Sequence, residues 1–299
     1  MGPQGTRPHL GGVSETALWT LYMRAHEARR PDRLIEDPKA IELVAALDYP
    51  FLERFGLDEQ DIAEGEALRT RVFDDEVRRF LRGDPEGTVV TLGGGLETQF
   101  WRADNGRARW ISVDLPEVVG LRRRLLPESP RQRLVACSVL DDRWMDEVDL
   151  TRGVLMTVKG LFQYFQPAEV HRLVAACAER FPGAVMVFEA PARWLSTRMR
   201  QGRVRTPAGT APPPTYWGMD PREARRIRGA HPNIVEWTDL PLPPGRGRVY
   251  GRQLPWIART PVVRNWKPVW ITRLRFGDDP SGGSPGHTRH EPRVRPADR

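Results

Sequence analysis

Three consecutive glycines and a later aspartate are the residues of this chain most suited to binding a ligand. Gly93, Gly94 and Gly95 follow an apolar segment, and Asp114 follows Gly93 by 21 residues. Glycine lets the backbone approach a ligand closely, and a carboxylate can accept hydrogen bonds from two ribose hydroxyls at once. A glycine-rich turn with an acid about 20 residues further on is typical of a ribose-bearing cofactor on a doubly wound sheet. The pattern alone does not identify the cofactor, and it also permits NAD.

Alternating strands and helices are predicted to position these residues. The predicted strands are 88–92, 109–113, 133–137, 153–158 and 184–189, and the predicted helices are about 96–104, 116–125, 143–148 and 167–181. Segments 153–158 and 184–189 are nearly all apolar, as expected for central parallel strands that are covered on both faces. Five such units predict an open, doubly wound and mostly parallel sheet with right-handed crossovers.

The segments before and after this alternating region differ from it in residue pattern. Apolar residues at helical spacing predict helices over 14–30, 38–46 and 64–81, so that 13–82 would form a helical lid before the main domain at 83–276. A substrate cap is expected as an insertion around 193–232. Two later strands are predicted, 233–238 and 269–276, and the alternation of the second indicates a half-buried edge strand. Residues 1–12 are rich in Gly and Pro, 277–299 lack apolar content, and both segments are expected to be disordered.

Composition narrows the function classes. The two cysteines, Cys137 and Cys177, give no disulfide framework, no metal-ligand spacing is present, and a reduced, cytoplasmic setting is the simplest interpretation. Neither a signal peptide nor a transmembrane run is visible, so no membrane partner is expected. The net charge is +7, with +13 concentrated in 193–275, and only three of the 46 basic residues are lysines. No nucleic-acid motif accompanies this charge, so we expect no nucleic-acid partner. The excess of arginine over lysine could reflect a GC-rich genome, or the basic surface could bind an acidic partner.

Taken together, several short motifs resemble those of the class I S-adenosylmethionine-dependent methyltransferases. More narrowly, they resemble the leucine carboxyl methyltransferase superfamily, in the bacterial branch that holds polyketide O-methyltransferases. The likeness covers roughly 14–275 and is carried by the order and spacing of its motifs. These are Arg69-Thr70-Arg71 with Asp74-Asp75, then Leu92-Gly93-Gly94-Gly95-Leu96-Glu97-Thr98, Val113-Asp114-Leu115-Pro116-Glu117-Val118, Val135-Ala136-Cys137-Ser138-Val139-Leu140 before Trp144, and Gly160-Leu161-Phe162-Gln163-Tyr164-Phe165.

The resemblance implies a seven-stranded Rossmann-like sheet and a set of cofactor contacts. Arg71 would pair with the cofactor carboxylate, and Thr98 would help to hold the same end. The glycines would pass under the methionine and ribose, and Asp114, with Leu115 beside it, would bind the ribose hydroxyls. The remaining contacts would come from Ser138, Val139 and Leu140 at the adenine and from Lys159-Gly160 at the amino-acid end.

Lys159 departs from the pattern of this family. Many members carry Glu immediately before Gly160, where a carboxylate can attract the cofactor ammonium. A lysine cannot do so, and it would repel both the ammonium and the sulfonium. Two hypotheses follow: Lys159 binds the carboxylate of the substrate or of the cofactor, or its ammonium extends to solvent.

Other side chains could act at the reacting centre or on the acceptor. Tyr164 matches a tyrosine of the family near that centre, and a core tyrosine with a satisfied hydroxyl is the alternative. His26 and His171 could be bases by residue type, although helix-surface positions fit them better, and Cys137 fits a buried strand residue better than a nucleophile. The candidate substrate contacts, each with ordinary packing as its alternative, are Trp19, Tyr22, Arg193, Tyr216 and Trp217.

The sequence therefore predicts an O-methyltransferase that uses S-adenosylmethionine and no metal. Its acceptor would be a carboxylate or hydroxyl of a small, anionic or aromatic metabolite of the polyketide type. A carboxylate is ionised at pH 7 and needs no base, whereas a hydroxyl requires one. The alternatives are methylation of a protein C-terminal carboxylate, a cofactor-binding protein that has lost catalysis, and an NAD-dependent oxidoreductase. The oligomeric state stays open.

Overall fold

The computed structural model describes residues 5–56, 61–253, 255–256, 260 and 266–278. Across these residues runs one sheet of seven strands. The strands are β1 Thr88–Leu92, β2 Arg109–Asp114, β3 Gln132–Ala136, β4 Val154–Val158, β5 Val185–Pro191, β6 Ile234–Leu240 and β7 Val269–Phe276. All seven predicted strands are present, with boundaries that shift by two residues at most.

The strands lie in the order β3-β2-β1-β4-β5-β7-β6. Strands β1 to β5 are parallel to one another, whereas β7 runs antiparallel to both β5 and β6. The prediction of a doubly wound, mostly parallel sheet is confirmed. The prediction that 269–276 is an edge strand is wrong, because β7 is inserted between β5 and β6. Its polar positions are used within the sheet, since Arg273 and Arg275 reach Glu236 on β6 at 3.4 Å and 3.3 Å.

Helices flank the sheet and precede it. They are α1 Thr16–Ala28, α2 Pro38–Ala46, α3 Phe51–Phe55, α4 Asp61–Gly83, α5 Gln99–Ala103, α6 Pro116–Leu125, α7 Pro167–Arg180, α8 Arg193–Arg200 and α9 Pro221–Arg228. Three of them, α3, α8 and α9, were not predicted. The helix predicted over 96–104 begins only at Gln99, because the residues before it form the turn, and the segment near 143–148 is a 3-10 helix, Asp142–Glu147.

Both faces of the sheet are covered, as the apolar central strands require. One face packs against α4, in a cluster that contains Val72, Phe73, Val77, Leu81, Val89, Leu155, Val187 and Ile271. The opposite face packs against α7, in a cluster that contains Val90, Met156, Val170, Leu173, Val174 and Met186. Successive residues of a strand point to opposite faces, so Val89 and Val90 enter different clusters. Helix α4 is therefore part of the main core and not only a cover over the site.

Part of the segment 1–12 pairs with the end of α2. The Thr6 N–H donates to the Ala46 carbonyl at 2.9 Å, and Asp48 N–H donates to the Thr6 carbonyl at 3.0 Å. Disorder predicted over 1–12 thus does not extend to Thr6, because these two hydrogen bonds fix its backbone, while 1–4 lie outside the described residues. Of 277–299, only residues 277 and 278 are described. Within the described chain, no helix combines the length and the apolar character needed to cross a membrane.

Candidate cofactor and acceptor site

A cavity of about 300 Å³ opens at the carboxyl ends of the parallel strands. Its wall combines the glycine turn after β1, residues after β2, β3 and β4, and one side chain of β5. The segment leading into α1 and the first turns of that helix close another side through Val13, Ser14, Thr16, Ala17 and Thr20. Ligands of open α/β sheets bind at this edge, and the size falls at the lower end of the range of small-molecule sites.

The glycine turn has a backbone that other residues would strain. Gly93 and Gly95 both have φ of +59°. A Cβ on Gly93 would lie 2.7 Å from a Leu161 side-chain carbon, and one on Gly95 would lie 2.6 Å from the Ala17 Cβ. Glycine is thus required here by backbone conformation and by close packing together, and Gly94 also lines the cavity.

Asp114, the last residue of β2, is held in a fixed orientation behind this turn. Its Oδ2 accepts the Gly95 N–H at 2.7 Å, and its Oδ1 accepts the Leu115 N–H at 2.8 Å. Burial raises the pKa of this carboxyl, and the two N–H groups partly offset that effect. Each oxygen keeps lone pairs for a further donor, so the carboxylate can bind a pair of hydroxyls.

Lys159 does not extend to solvent, as the second hypothesis expected, but pairs with acids of this chain. Its ammonium lies 2.7 Å from Glu97 Oε2 and 2.9 Å from Glu66 Oε1, and it donates to the Thr70 hydroxyl at 2.9 Å. The side chain is 12% exposed, so it does not extend into solvent. Lys159 is therefore paired with carboxylates of this chain, and the two acids compensate its charge at the cavity wall.

A buried ion network continues from Glu97 behind the cavity. Arg102 donates to Asp37 at 2.7 Å, to Asp74 at 2.8 Å and to Glu97 at 2.7 Å. Thr98 donates its hydroxyl to Asp37 at 2.6 Å. Burial would raise the pKa of Glu97, but the surrounding cations outweigh this and hold that pKa well below its ordinary value. The network fixes the turn in place, and Thr98 belongs to it rather than to the cavity wall.

Arg69, not Arg71, is the arginine of α4 that lines the cavity. Two positions apart on a helix differ by about 200° around its axis, so both side chains cannot face one site. Arg69 donates to Glu189 Oε1 at 2.8 Å and also to Glu66. The predicted contact at Arg71 is thus not brought to the cavity, because the register of α4 directs that position elsewhere.

The remaining cofactor candidates divide between the wall and its support. The cavity is lined by Leu115, Ser138, Val139 and Gly160, and also by Tyr164, the candidate at the reacting centre. Leu140 packs against the core cluster instead. Burial raises the pKa of Tyr164, although hydrogen bonds with the Gln163 and Thr16 side chains act in the opposite direction. The phenol therefore stays protonated at neutral pH.

The candidate substrate residues lie outside the cavity. Trp19 and Tyr22 pack with the aromatic rings of α3, with ring centroids 6.2 Å from Phe55 and 5.2 Å from Phe51 respectively. Trp217 is buried and donates to Glu223 at 2.8 Å. Tyr216 is exposed and Arg193 pairs with Asp220 and Glu223. None of these five residues lines the cavity, and their contact with an acceptor stays a prediction.

The candidate bases and the thiol do not form a catalytic group. His171 contacts Glu223 Oε1 at 2.6 Å through Nε2, on the side of α7 that faces α9, and His26 lies in the last turn of α1. Cys137 lines the cavity half-buried, and burial raises its pKa, so it is not a thiolate at neutral pH. Among the described residues, no group of three or more His, Cys, Asp or Glu side chains could hold a metal ion.

Sequence reasoning missed four charged residues of the wall: Glu66, Arg69, Glu97 and Glu189. Each carried a usable signal. Glu66 and Arg69 are three apart and share a helix face, and Glu97 stands inside the glycine motif. Glu189 lies near the carboxyl end of a parallel strand, where ligand-binding residues concentrate.

Comparison with known proteins adds a family and relatives. The model of the leucine carboxyl methyltransferase family matches residues 17–178. The chain is 33% identical over 192 residues to the tetracenomycin polyketide synthesis O-methyltransferase TcmP of Streptomyces glaucescens, covering 64% of this chain and 70% of that protein. It is 31% identical over 248 residues to the S-adenosyl-L-methionine-dependent methyltransferase dpfgK of Gibberella zeae, covering 72% and 78%. Among solved structures, an O-methyltransferase family protein from Burkholderia thailandensis aligns with a TM-score of 0.43 and 14% identity, over 88% of this chain and 70% of that one.

Proposed function

The chain belongs to the leucine carboxyl methyltransferase family and is an S-adenosylmethionine-dependent methyltransferase, and we propose that it methylates a carboxylate or hydroxyl oxygen of a small metabolite. The observation that carries the proposal is the cavity at the strand ends, in which a glycine cradle and an oriented carboxylate face an enclosed volume of about 300 Å³. A relative named for polyketide synthesis supports an acceptor from secondary metabolism.

The residues present fit this cofactor. Gly93, Gly94 and Gly95 line the cavity without side chains, so a ligand can lie against their backbone. Asp114 would accept the two ribose hydroxyls, and Ser138 and Val139 would border the adenine. Arg69, in place of Arg71, would bind the cofactor carboxylate.

The bound cofactor supplies an activated methyl group, so the protein has to align the acceptor and exclude water. Alignment would come from the fixed turn and from Asp114, whose position is set by two backbone N–H groups. Exclusion of water would come from α1 and Leu161, which both pack directly on the glycine turn, and from Phe165, which also lines the cavity. The helical segment before residue 83 thus serves as a lid through α1.

Tyr164 would contribute a hydrogen bond at the acceptor. Its raised pKa keeps the phenol protonated, so it can donate to an acceptor oxygen but cannot remove a proton from one at neutral pH. An acceptor carboxylate needs no proton removal, because it is already ionised. A hydroxyl acceptor would need a carboxylate of the wall, or a low pKa of its own, to lose its proton.

Transfer of labelled methyl groups tests the proposal. The protein is incubated with methyl-labelled S-adenosylmethionine and with matched pairs of aromatic alcohols and aromatic carboxylic acids. Mild base releases methanol from methyl esters and not from ethers, so the two products can be told apart. Label in either product that disappears in Asp114→Asn supports the proposal. Label only on nitrogen or carbon, or only in added protein, would refute it.

A further inference from the structure

We propose that Arg69 and Glu189 form a clamp for the α-amino-acid end of the cofactor, with Glu189 accepting the ammonium and Arg69 donating to the carboxylate. This inference rests on the proposed function, since it assigns residues to the same cofactor. An α-amino acid carries opposite charges on groups bonded to one carbon. The clamp presents the complementary pair, because the Arg69 guanidinium and the Glu189 carboxylate lie 2.8 Å apart on one wall of the cavity.

Arg69 retains donors for a ligand. Its Nε donates to the Gly65 carbonyl at 3.3 Å, and its two terminal nitrogens each donate once, to Glu189 and to Glu66. A guanidinium carries five N–H groups, so two remain beyond these three hydrogen bonds. One N–H remains on each terminal nitrogen, and these two can donate to the oxygens of a carboxylate.

Glu189 has an acceptor without a donor. Its side chain is 4% exposed, and Oε2 has no hydrogen-bond partner among the described residues. Leaving a buried carboxylate oxygen unpaired is costly, which points to a ligand group that supplies the donor. The other oxygen lies 3.8 Å from the position that a Cβ on Gly160 would occupy. The carboxylate thus lies beside the end of β4, near the glycine turn.

The other carboxylates of the wall are already engaged. Glu66 and Glu97 share the ammonium of Lys159, and Asp114 accepts two backbone N–H groups at the ribose side. Glu66 Oε1 also lacks a hydrogen-bond donor, but it lies 2.9 Å from the Lys159 ammonium. Glu189 is therefore the carboxylate of the described wall that is best placed to receive a cationic group.

Two ligands that differ in the amino-acid end provide the test. S-adenosylhomocysteine contains the ammonium and carboxylate, whereas 5′-methylthioadenosine lacks both, and their affinities are measured by calorimetry on the full chain. Glu189→Gln is expected to lower the affinity for S-adenosylhomocysteine by at least about 10-fold, because one hydrogen bond to a charged group is lost. It should leave 5′-methylthioadenosine within about 2-fold. Glu179→Gln, an exposed position on α7, is the matched control and should change neither.

The outcomes separate the clamp from the proposed function. Unchanged binding of 5′-methylthioadenosine shows that Glu189→Gln is folded with an intact nucleoside site. Equal losses for both ligands, or no loss for either, would overturn the clamp and leave the proposed function standing. Failure of the unaltered protein to bind either ligand would overturn both.

Discussion

Replacing Lys159 by methionine should destabilise the protein by about 3–5 kcal/mol at neutral pH, the cost of removing one partner from a buried ion pair. The ammonium lies 2.7 Å from Glu97 and 2.9 Å from Glu66, and the side chains of those two acids are only 9% and 2% exposed. Methionine keeps the length of the side chain but supplies no charge. Two buried carboxylates would then face each other with less compensation.

The magnitude can be checked against the ionisation of Glu66. Burial acts to raise the pKa of this carboxyl, but Lys159, and after it Arg69 and Arg24, outweigh burial and lower the pKa from 4.5 to about 2. At about 1.4 kcal/mol per pKa unit, this change is worth about 3 kcal/mol of stability at neutral pH. Lys159 is the largest of the lowering influences, so the two magnitudes agree.

The sign of the pH dependence follows from the same groups. Because the folded pKa of Glu66 lies below its unfolded value, its stabilising contribution is present above about pH 4.5 and is lost as the pH falls toward 2. In Lys159→Met the buried acids lose their cation, so their folded pKa values rise and they take up protons more readily. The stability difference between the two proteins should therefore become smaller as the pH is lowered from neutral.

Urea unfolding followed by tryptophan fluorescence measures both effects. The matched control is Lys39→Met, since Lys39 pairs with Glu42 at the surface, where the acid is 61% exposed, and such a pair is worth less than about 1 kcal/mol. A loss below about 1 kcal/mol in Lys159→Met, or a loss that does not change with pH, would refute the reasoning.

Three further predictions concern the cavity wall. Gly95→Ala should destabilise the protein by about 1–3 kcal/mol in thermal melting, because of its φ of +59° and the contact with α1. Gly120→Ala, within α6 and with open space around it, should be neutral or stabilising by up to about 1 kcal/mol, and equal destabilisation of the two variants would contradict this. Asp114→Asn should weaken S-adenosylhomocysteine about 10- to 100-fold in calorimetry, since an amide nitrogen cannot accept, and an unchanged affinity would remove Asp114 from the site. Arg69→Met should lower the affinity for S-adenosylhomocysteine to a similar extent, while Arg71→Met should leave that affinity within about 2-fold. A larger loss in Arg71→Met than in Arg69→Met would instead assign the carboxylate contact to Arg71.

The sheet and the glycine turn could be predicted because their signals are local. Apolar residues indicate each strand, and consecutive glycines indicate the turn that follows β1. The order of β6 and β7 could not be predicted in the same way. Alternation along 269–276 indicates that one set of side chains is polar. It does not show whether those side chains contact solvent or, as here, Glu236 on the neighbouring strand.

The charged wall could be predicted only in part, because its members come from distant parts of the chain. Lys159 was recognised as an exception, but its partners Glu66 and Glu97 are brought to it by α4 and by the turn after β1. The choice between Arg69 and Arg71 depends on the register of one helix against the sheet. Because both positions carry arginine, residue type alone does not choose between them.

The place of β7 in the sheet has a consequence for how the chain is made. Strands β1 to β5 leave the ribosome in an order that lets each find a neighbour already synthesised. Among the seven described strands, β6 follows them but pairs with β7 alone, and β7 is the last to emerge. Until then β6 has no partner and the outer edge of β5 is uncovered, a state prone to aggregation. The nascent chain therefore has the strands of the cofactor site before the outer side of β5 is paired, and truncation before residue 269 would leave that side of β5 permanently unpaired.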